Sequence, residues 1–166
     1  MTHQHPLQLS VNGDSYHITV EARTTLADAL RDECQLTGTH LGCEHGVCGA
    51  CTILVNGQPV RSCLMFAVQA DGASIRTVEG LAADEHTLHP AQLAFWDAHA
   101  LQCGFCTPGF LCLLVGFLEQ NPEADVEQIR DVLSSNLCRC TGYQNIVAAA
   151  LTTQRRLQAL GEEPGS

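Results

Sequence analysis

The chain has 166 residues and a formal charge of −10, from 18 acidic against 8 basic side chains, together with ten cysteines. That balance argues against a nucleic-acid partner, because non-specific binding to a phosphate backbone depends on clustered Lys and Arg. The length suits one medium domain or two small ones, and small domains with thin cores usually need disulfides or metal, so the cysteines become the central feature.

Along residues 7–20 apolar side chains alternate with polar ones on either side of Asn12-Gly13, a dipeptide that favours a tight hairpin turn. Two antiparallel strands are predicted there. Thr24 or Thr25 can cap a short helix through Glu33, with Leu26, Ala29 and Leu30 on its buried face. Residues 37–50 are glycine-rich and read as a loop. A second hairpin is predicted from residues 52–55 and 60–66 around Asn56-Gly57, with a last strand at 74–78. Strand pairs packed on one helix make a small α+β unit.

After Val78 the composition shifts to Ala, Leu and Gln at helical spacing. Four helices are predicted, over 89–100, 108–120, 126–134 and 143–157. The division is therefore residues 1–79, a linker at 80–87, and a helical domain over 88–166 whose tail, GEEPGS, is expected to be disordered. The most apolar run, residues 109–118, is about half the ~20 residues of a membrane span and reads as a buried core helix. The first residues lack a basic stretch followed by an apolar core, so no secretory peptide is expected. A cytoplasmic, reducing location follows, where closely spaced cysteines are more often metal ligands than disulfides.

Cys43, Cys48 and Cys51 are spaced Cys-x4-Cys-x2-Cys, and Cys63 follows after eleven residues. This is the plant-type spacing for a [2Fe-2S] cluster. Four thiolates on such a cluster leave net negative charge, so the loop must aim backbone N–H groups at the sulfurs. Gly42, Gly46 and Gly49 allow that wrapping. A structural zinc site is the alternative, although zinc knuckles usually show two Cys-x2-Cys pairs. A Rieske centre fits worse, because no histidine follows Cys48 or Cys51 at the required spacing.

Cys103-x2-Cys106 and Cys138-x-Cys140 supply four more thiolates, with two predicted helices between them that bring both pairs to one end of a bundle. Each pair is followed by a threonine suited to cap a helix, Thr107 and Thr141, so two helix N-termini would favour an anionic group there. A second [2Fe-2S] cluster is the leading reading, and zinc remains open. Cys34 and Cys112 are left over and read as buried apolar side chains. His40 and His45 lie near the first set, where they would either tune it by hydrogen bonding or remain solvated loop residues. Phe95 and Trp96 read as core or interface anchors.

Taken together, GCEHGVCGACTILVNG at 42–57, SCLMFAVQADG at 62–72, QCGFCTPG at 102–109 and NLCRCTGYQNI at 136–146 resemble the small iron-sulfur subunit of the xanthine oxidase and aerobic carbon monoxide dehydrogenase family of molybdenum hydroxylases. The resemblance spans about residues 6–157 with no departure at a ligand position. It implies an α+β chain: a β-grasp ferredoxin-like domain followed by a four-helix bundle, holding two [2Fe-2S] clusters on Cys43, Cys48, Cys51 and Cys63 and on Cys103, Cys106, Cys138 and Cys140. It further implies a large partner subunit carrying a molybdopterin cofactor and, commonly, a medium subunit carrying FAD, with Gln102 and Cys103 at the pterin. No catalytic residue is expected on this chain. Electrons would run from the molybdenum site through the Cys103 set to the Cys43 set and on to FAD or another acceptor. A free-standing ferredoxin-like carrier and a zinc-stabilised interaction module are the competing functions.

Overall fold

The computed structural model describes residues 4–84 and 86–161. Of the tail expected to be disordered over 161–166, Gly161 is still the last residue of a helix, and residues 162–166 lie outside the described residues.

Strands β1 (Gln4–Val11) and β2 (Asp14–Glu21) pair antiparallel with Leu7 opposite Ile18 and Leu9 opposite Tyr16. The two-residue period buries Leu7, Leu9, Val11, Ile18 and Val20 on one face. Asn12 (φ 55°) and Gly13 (φ 91°) both occupy the left-handed region, as a type I′ turn requires, and Asn56 (φ 51°) and Gly57 (φ 78°) repeat the device. The second turn joins β3 (Thr52–Val55) to β4 (Gln58–Arg61). Strand β5 (Ser74–Arg76) runs parallel to β1 and antiparallel to β3, giving a mixed five-stranded sheet in the order β2-β1-β5-β3-β4.

On this sheet packs α1 (Leu26–Asp28), which continues as a π-helical turn over Ala29–Glu33. Thr25 is its N-cap, accepting the Asp28 N–H at 3.1 Å, and Leu26, Ala29 and Leu30 are fully buried as their spacing predicts.

Two predicted strands end early. The strand expected over 60–66 stops at Arg61, because Ser62 donates both its N–H (3.3 Å) and its hydroxyl (2.7 Å) to the Cys51 carbonyl. The chain turns there through a 3-10 helix, Ser62–Leu64, that carries Cys63 toward Cys51. The strand expected over 74–78 stops at Arg76, where the Asn12 side chain takes over the Thr77 backbone N–H and hydroxyl, each at 2.9 Å.

The helical half contains α2 (Pro90–Asp97), α3 (Thr107–Gln120), α4 (Val126–Ser134) and α5 (Gln144–Gly161). Phe95, Phe110, Leu114, Ile129, Leu133 and Ile146 fill its core, and Leu54 of β3 joins them. Helix α2 ends three residues before the predicted Ala100, because His99 turns left-handed (φ 49°) and the Ala100 N–H returns to the Phe95 carbonyl. Helix α4 opens on Asp125, whose carboxylate accepts the N–H groups of Glu127 and Gln128, both at 2.9 Å, while Gln128 reaches back to the Asp125 N–H. Asp125→Ala is expected to cost about 1 kcal/mol, read as a lower denaturation midpoint with an unchanged m-value. No helix among the described residues is long and apolar enough to cross a membrane.

Candidate cluster-binding sites

The first cysteine set is built by the loop entering β3 and by the 3-10 turn leaving β4. Left-handed residues Glu44, Gly46 and Gly49 wind the loop back on itself, which turns its N–H groups inward. The Cys43 sulfur accepts the Cys48 N–H at 3.3 Å. Together with the N–H groups of His45 and Val47, this stabilises the Cys43 thiolate and pulls its pKa down to about 6. Cys51 and Cys63 are buried, and burial, reinforced by the neighbouring Cys51 thiol, pushes Cys63 up to about 12.

The second set stands where the α2–α3 and α4–α5 connections meet. Cys103 and Cys140 are exposed with their sulfurs 3.6 Å apart. Cys106 lies deeper against Cys138, and burial followed by the Cys138 thiol pushes it up to about 12. Burial works against the Cys138 thiolate as well, but the Thr141 hydroxyl (3.0 Å) and N–H (3.4 Å) outweigh it, and the net shift is downward.

The eight thiols thus fall into four close pairs: Cys43 with Cys48, Cys51 with Cys63, Cys103 with Cys140, and Cys106 with Cys138. Two thiolates on one tetrahedral metal at a metal–sulfur distance of about 2.3 Å stand about 3.8 Å apart, close to the 3.6 Å between Cys103 and Cys140. A diiron core takes one such pair on each iron, whereas a single zinc draws all four sulfurs to one point. The donor set therefore fits [2Fe-2S] better than the zinc alternative.

These shifts set an order of reactivity in the metal-free chain. Cys43 is ionised above a pH of about 6, whereas Cys63 and Cys106 stay neutral until about 12. Near neutral pH, iodoacetamide is expected to alkylate Cys43 before Cys63 and Cys106, because the thiolate is the nucleophile. Equal labelling of the three by peptide mass spectrometry would refute that order.

The threonine caps are not as predicted. The Thr107 N–H bonds the Gly104 carbonyl at 3.2 Å and enters the helix, so Cys106 becomes the N-cap of α3, with no side-chain hydrogen bond. Thr141 instead accepts the Tyr143 N–H at 3.2 Å and lies against the Cys138 sulfur. Gln102 is exposed and donates from Nε2 to the Cys140 carbonyl at 3.1 Å, which fixes its amide over the Cys103–Cys140 pair.

His40 binds the Phe105 carbonyl through Nδ1 at 2.7 Å and stacks on the Phe105 ring, and His45 Nδ1 contacts the Cys43 carbonyl. Both histidines thus touch backbone, and His40 ties the first loop to the second. Cys34 and Cys112 stay apart in the two cores, with thiols pushed up by burial to about 11 and about 12. Phe95 is a core residue at 1% exposure, while Trp96 stands out at 72%.

Two residues escaped sequence reasoning. The Tyr143 hydroxyl accepts the Cys138 N–H at 2.9 Å and donates to the Asn136 carbonyl at 3.2 Å. Asn136, fully buried, donates from Nδ2 to the Gly49 carbonyl at 3.2 Å. Both lie inside the last motif, but nothing local marks their contacts, which depend on how the two loops meet.

Residues 9–81 match the family described as 2Fe-2S iron-sulfur cluster binding domain, and residues 77–151 match the [2Fe-2S] binding domain family. The chain is 58% identical over 148 residues to caffeine dehydrogenase subunit gamma of Pseudomonas sp. (strain CBB1), covering 87% of this chain and 88% of that one. It is 57% identical over 145 residues to the nicotine 6-hydroxylase small subunit of Paenarthrobacter nicotinovorans, covering 87% of each. Quinoline 2-oxidoreductase from Pseudomonas putida 86 superposes with a TM-score of 0.89 at 47% identity, over 94% of this chain and 97% of that one. With cysteine pairs suited to iron-sulfur binding in both halves and these matches across nearly its whole length, the chain belongs to the small iron-sulfur subunits of the xanthine oxidase family of molybdenum hydroxylases.

Proposed function

We propose that this chain is the electron relay of a heteromeric, cytoplasmic molybdenum hydroxylase. In this reading a β-grasp domain over residues 1–79 holds one [2Fe-2S] cluster on Cys43, Cys48, Cys51 and Cys63. A four-helix bundle over residues 88–166 holds a second on Cys103, Cys106, Cys138 and Cys140, with residues 80–87 as linker. Bound diiron clusters supply one-electron redox chemistry, and the chain's own residues fix where the charge sits. The loop N–H groups at Cys43 and the Thr141 N–H and hydroxyl at Cys138 offset the negative charge of the thiolates. Burial of Cys51 and Cys63 keeps water from their sulfurs.

The observation that carries the reading is that Cys103 and Cys140 are the two exposed thiols of the eight, whereas Cys51 and Cys63 are buried and the other four half-buried. Cys103 and Cys140 reach the surface beside Gln102, which is where a partner's cofactor would meet the relay. Gln102 can offer a pterin both donor and acceptor, and Cys103 beside it gives a short path inward. The partners are then a large molybdopterin subunit and a medium FAD subunit, with electrons leaving by the Cys43 set.

Isolating the native assembly from its host is the test. Molybdenum, flavin and two larger chains should co-purify in fixed ratio with this one. N-heteroaromatic compounds are the first substrates to offer, because the relatives named above are a caffeine dehydrogenase, a nicotine 6-hydroxylase and a quinoline 2-oxidoreductase. A native chain that runs as a metal-loaded monomer without molybdenum would refute the assembly.

A further inference from the structure

We infer that Asn136 is a positioning residue for electron passage between the two cysteine sets, an inference that rests on the relay reading above. The two sets meet at a defined junction. The Leu137 N–H donates to the Cys48 carbonyl at 2.9 Å, and Leu137 is bonded directly to Cys138. A path from the Cys48 sulfur to the Cys138 sulfur is therefore covalent throughout except for this one hydrogen bond. One electron crossing it oxidises the group on the Cys138 side and reduces the group on the Cys48 side, with no bond broken and no proton required.

Asn136, the residue before Leu137, is held on three sides. Its N–H bonds the Leu133 carbonyl at 3.1 Å, its carbonyl accepts from Tyr143, and its Nδ2 reaches the Gly49 carbonyl one residue past Cys48. The carboxamide lies so close over Gly49 (φ 74°) that a Cβ there would collide with it. Arg61 braces the same seam, donating to the Ser135 carbonyl at 2.8 Å and to the Thr52 hydroxyl, which in turn bonds the Gly49 carbonyl at 2.7 Å.

A second observation points to function rather than packing. Asn136 Oδ1 is buried and has no hydrogen-bond partner. An unsatisfied buried acceptor is costly, and an apolar side chain of similar size would avoid that cost. The amide is kept for its donor, and the donor grips the loop that carries Cys48. Its consequence is a short, fixed Leu137–Cys48 hydrogen bond.

The test compares the intact assembly with Asn136→Ala and with Asn136→Asp, which keeps the shape but loses the donor. Asn145→Ala, which removes an amide bonded to the His99 carbonyl away from the junction, is the control for lost stability. Both Asn136 variants should retain wild-type iron and the separate paramagnetic signal of each cluster. Their Leu137 amide should exchange with deuterium about fivefold faster, the factor one net hydrogen bond is worth, the spin–spin coupling between clusters should weaken, and electron transfer between them should slow. The control should change none of these. Unchanged coupling and rate in iron-replete variants would overturn the inference and leave the relay reading intact, as would loss of both clusters in both variants, which would make the clamp purely structural. A wild-type assembly without two clusters would instead refute the relay reading itself.

Discussion

Cys106→Ala is expected to halve the iron of the chain, from about four to about two per polypeptide, leaving the Cys43 set loaded. Cys106 pairs with Cys138 in the deeper half of the second site, so its loss strips one of two anchors from one metal. The remaining pair, Cys103 with Cys140, is exposed and has no protection from solvent or oxidant. Because metal binding there is coupled to folding of the loops that carry it, the loss should destabilise the helical half by about 3 kcal/mol or more, lowering the unfolding temperature by roughly 10 °C. Iron assay and a thermal scan on anaerobically prepared protein check both numbers. Unchanged iron would remove Cys106 from the ligand set.

Gly109→Ala is expected to cost about 3 kcal/mol, the upper end for one added methyl in a packed core, although alanine is the better helix former. A Cβ at Gly109 would run into the backbone carbonyls of Gly49 and Ala50, which cannot move without shifting the cysteine loop itself. Gly116, two turns along the same face of α3, meets the Leu54 and Pro59 side chains instead, and these can yield. Gly116→Ala should therefore cost less. Gly161→Ala, at the last residue of α5 with nothing within 4 Å, should be close to neutral. Denaturant midpoints of the three variants give the order, and equal effects would show that α3 is not docked through its glycine face.

How much of this was legible in the sequence depends on the range of the interaction. The Asn-Gly turns and the spacing of Leu26, Ala29 and Leu30 act over a few residues, and both hairpin turns and the first helix stand where they were predicted. Helix α4 matches residue for residue, and the contact that fixes its start, between Asp125 and Gln128, acts over only three residues. The run at 60–66 misled because its apolar content fits a strand, whereas the distant Cys51 carbonyl captures Ser62 and ends it. The cysteine spacings indicated two sets but not their pairing: Cys103 stands with Cys140 and Cys106 with Cys138, so neighbours in sequence sit on different pairs. Asn136 and Gly109 were invisible for the same reason. Their partners, Gly49 and Ala50, lie far back in the chain, and no local pattern encodes such contacts.

The central claim is that four thiol pairs hold two diiron clusters, and the most direct measurement is iron, acid-labile sulfide and paramagnetic resonance on one anaerobic preparation. About four irons and about four sulfides per chain, with two separate signals on dithionite reduction, are expected. A colourless protein carrying zinc, silent in the reduced state, would contradict it.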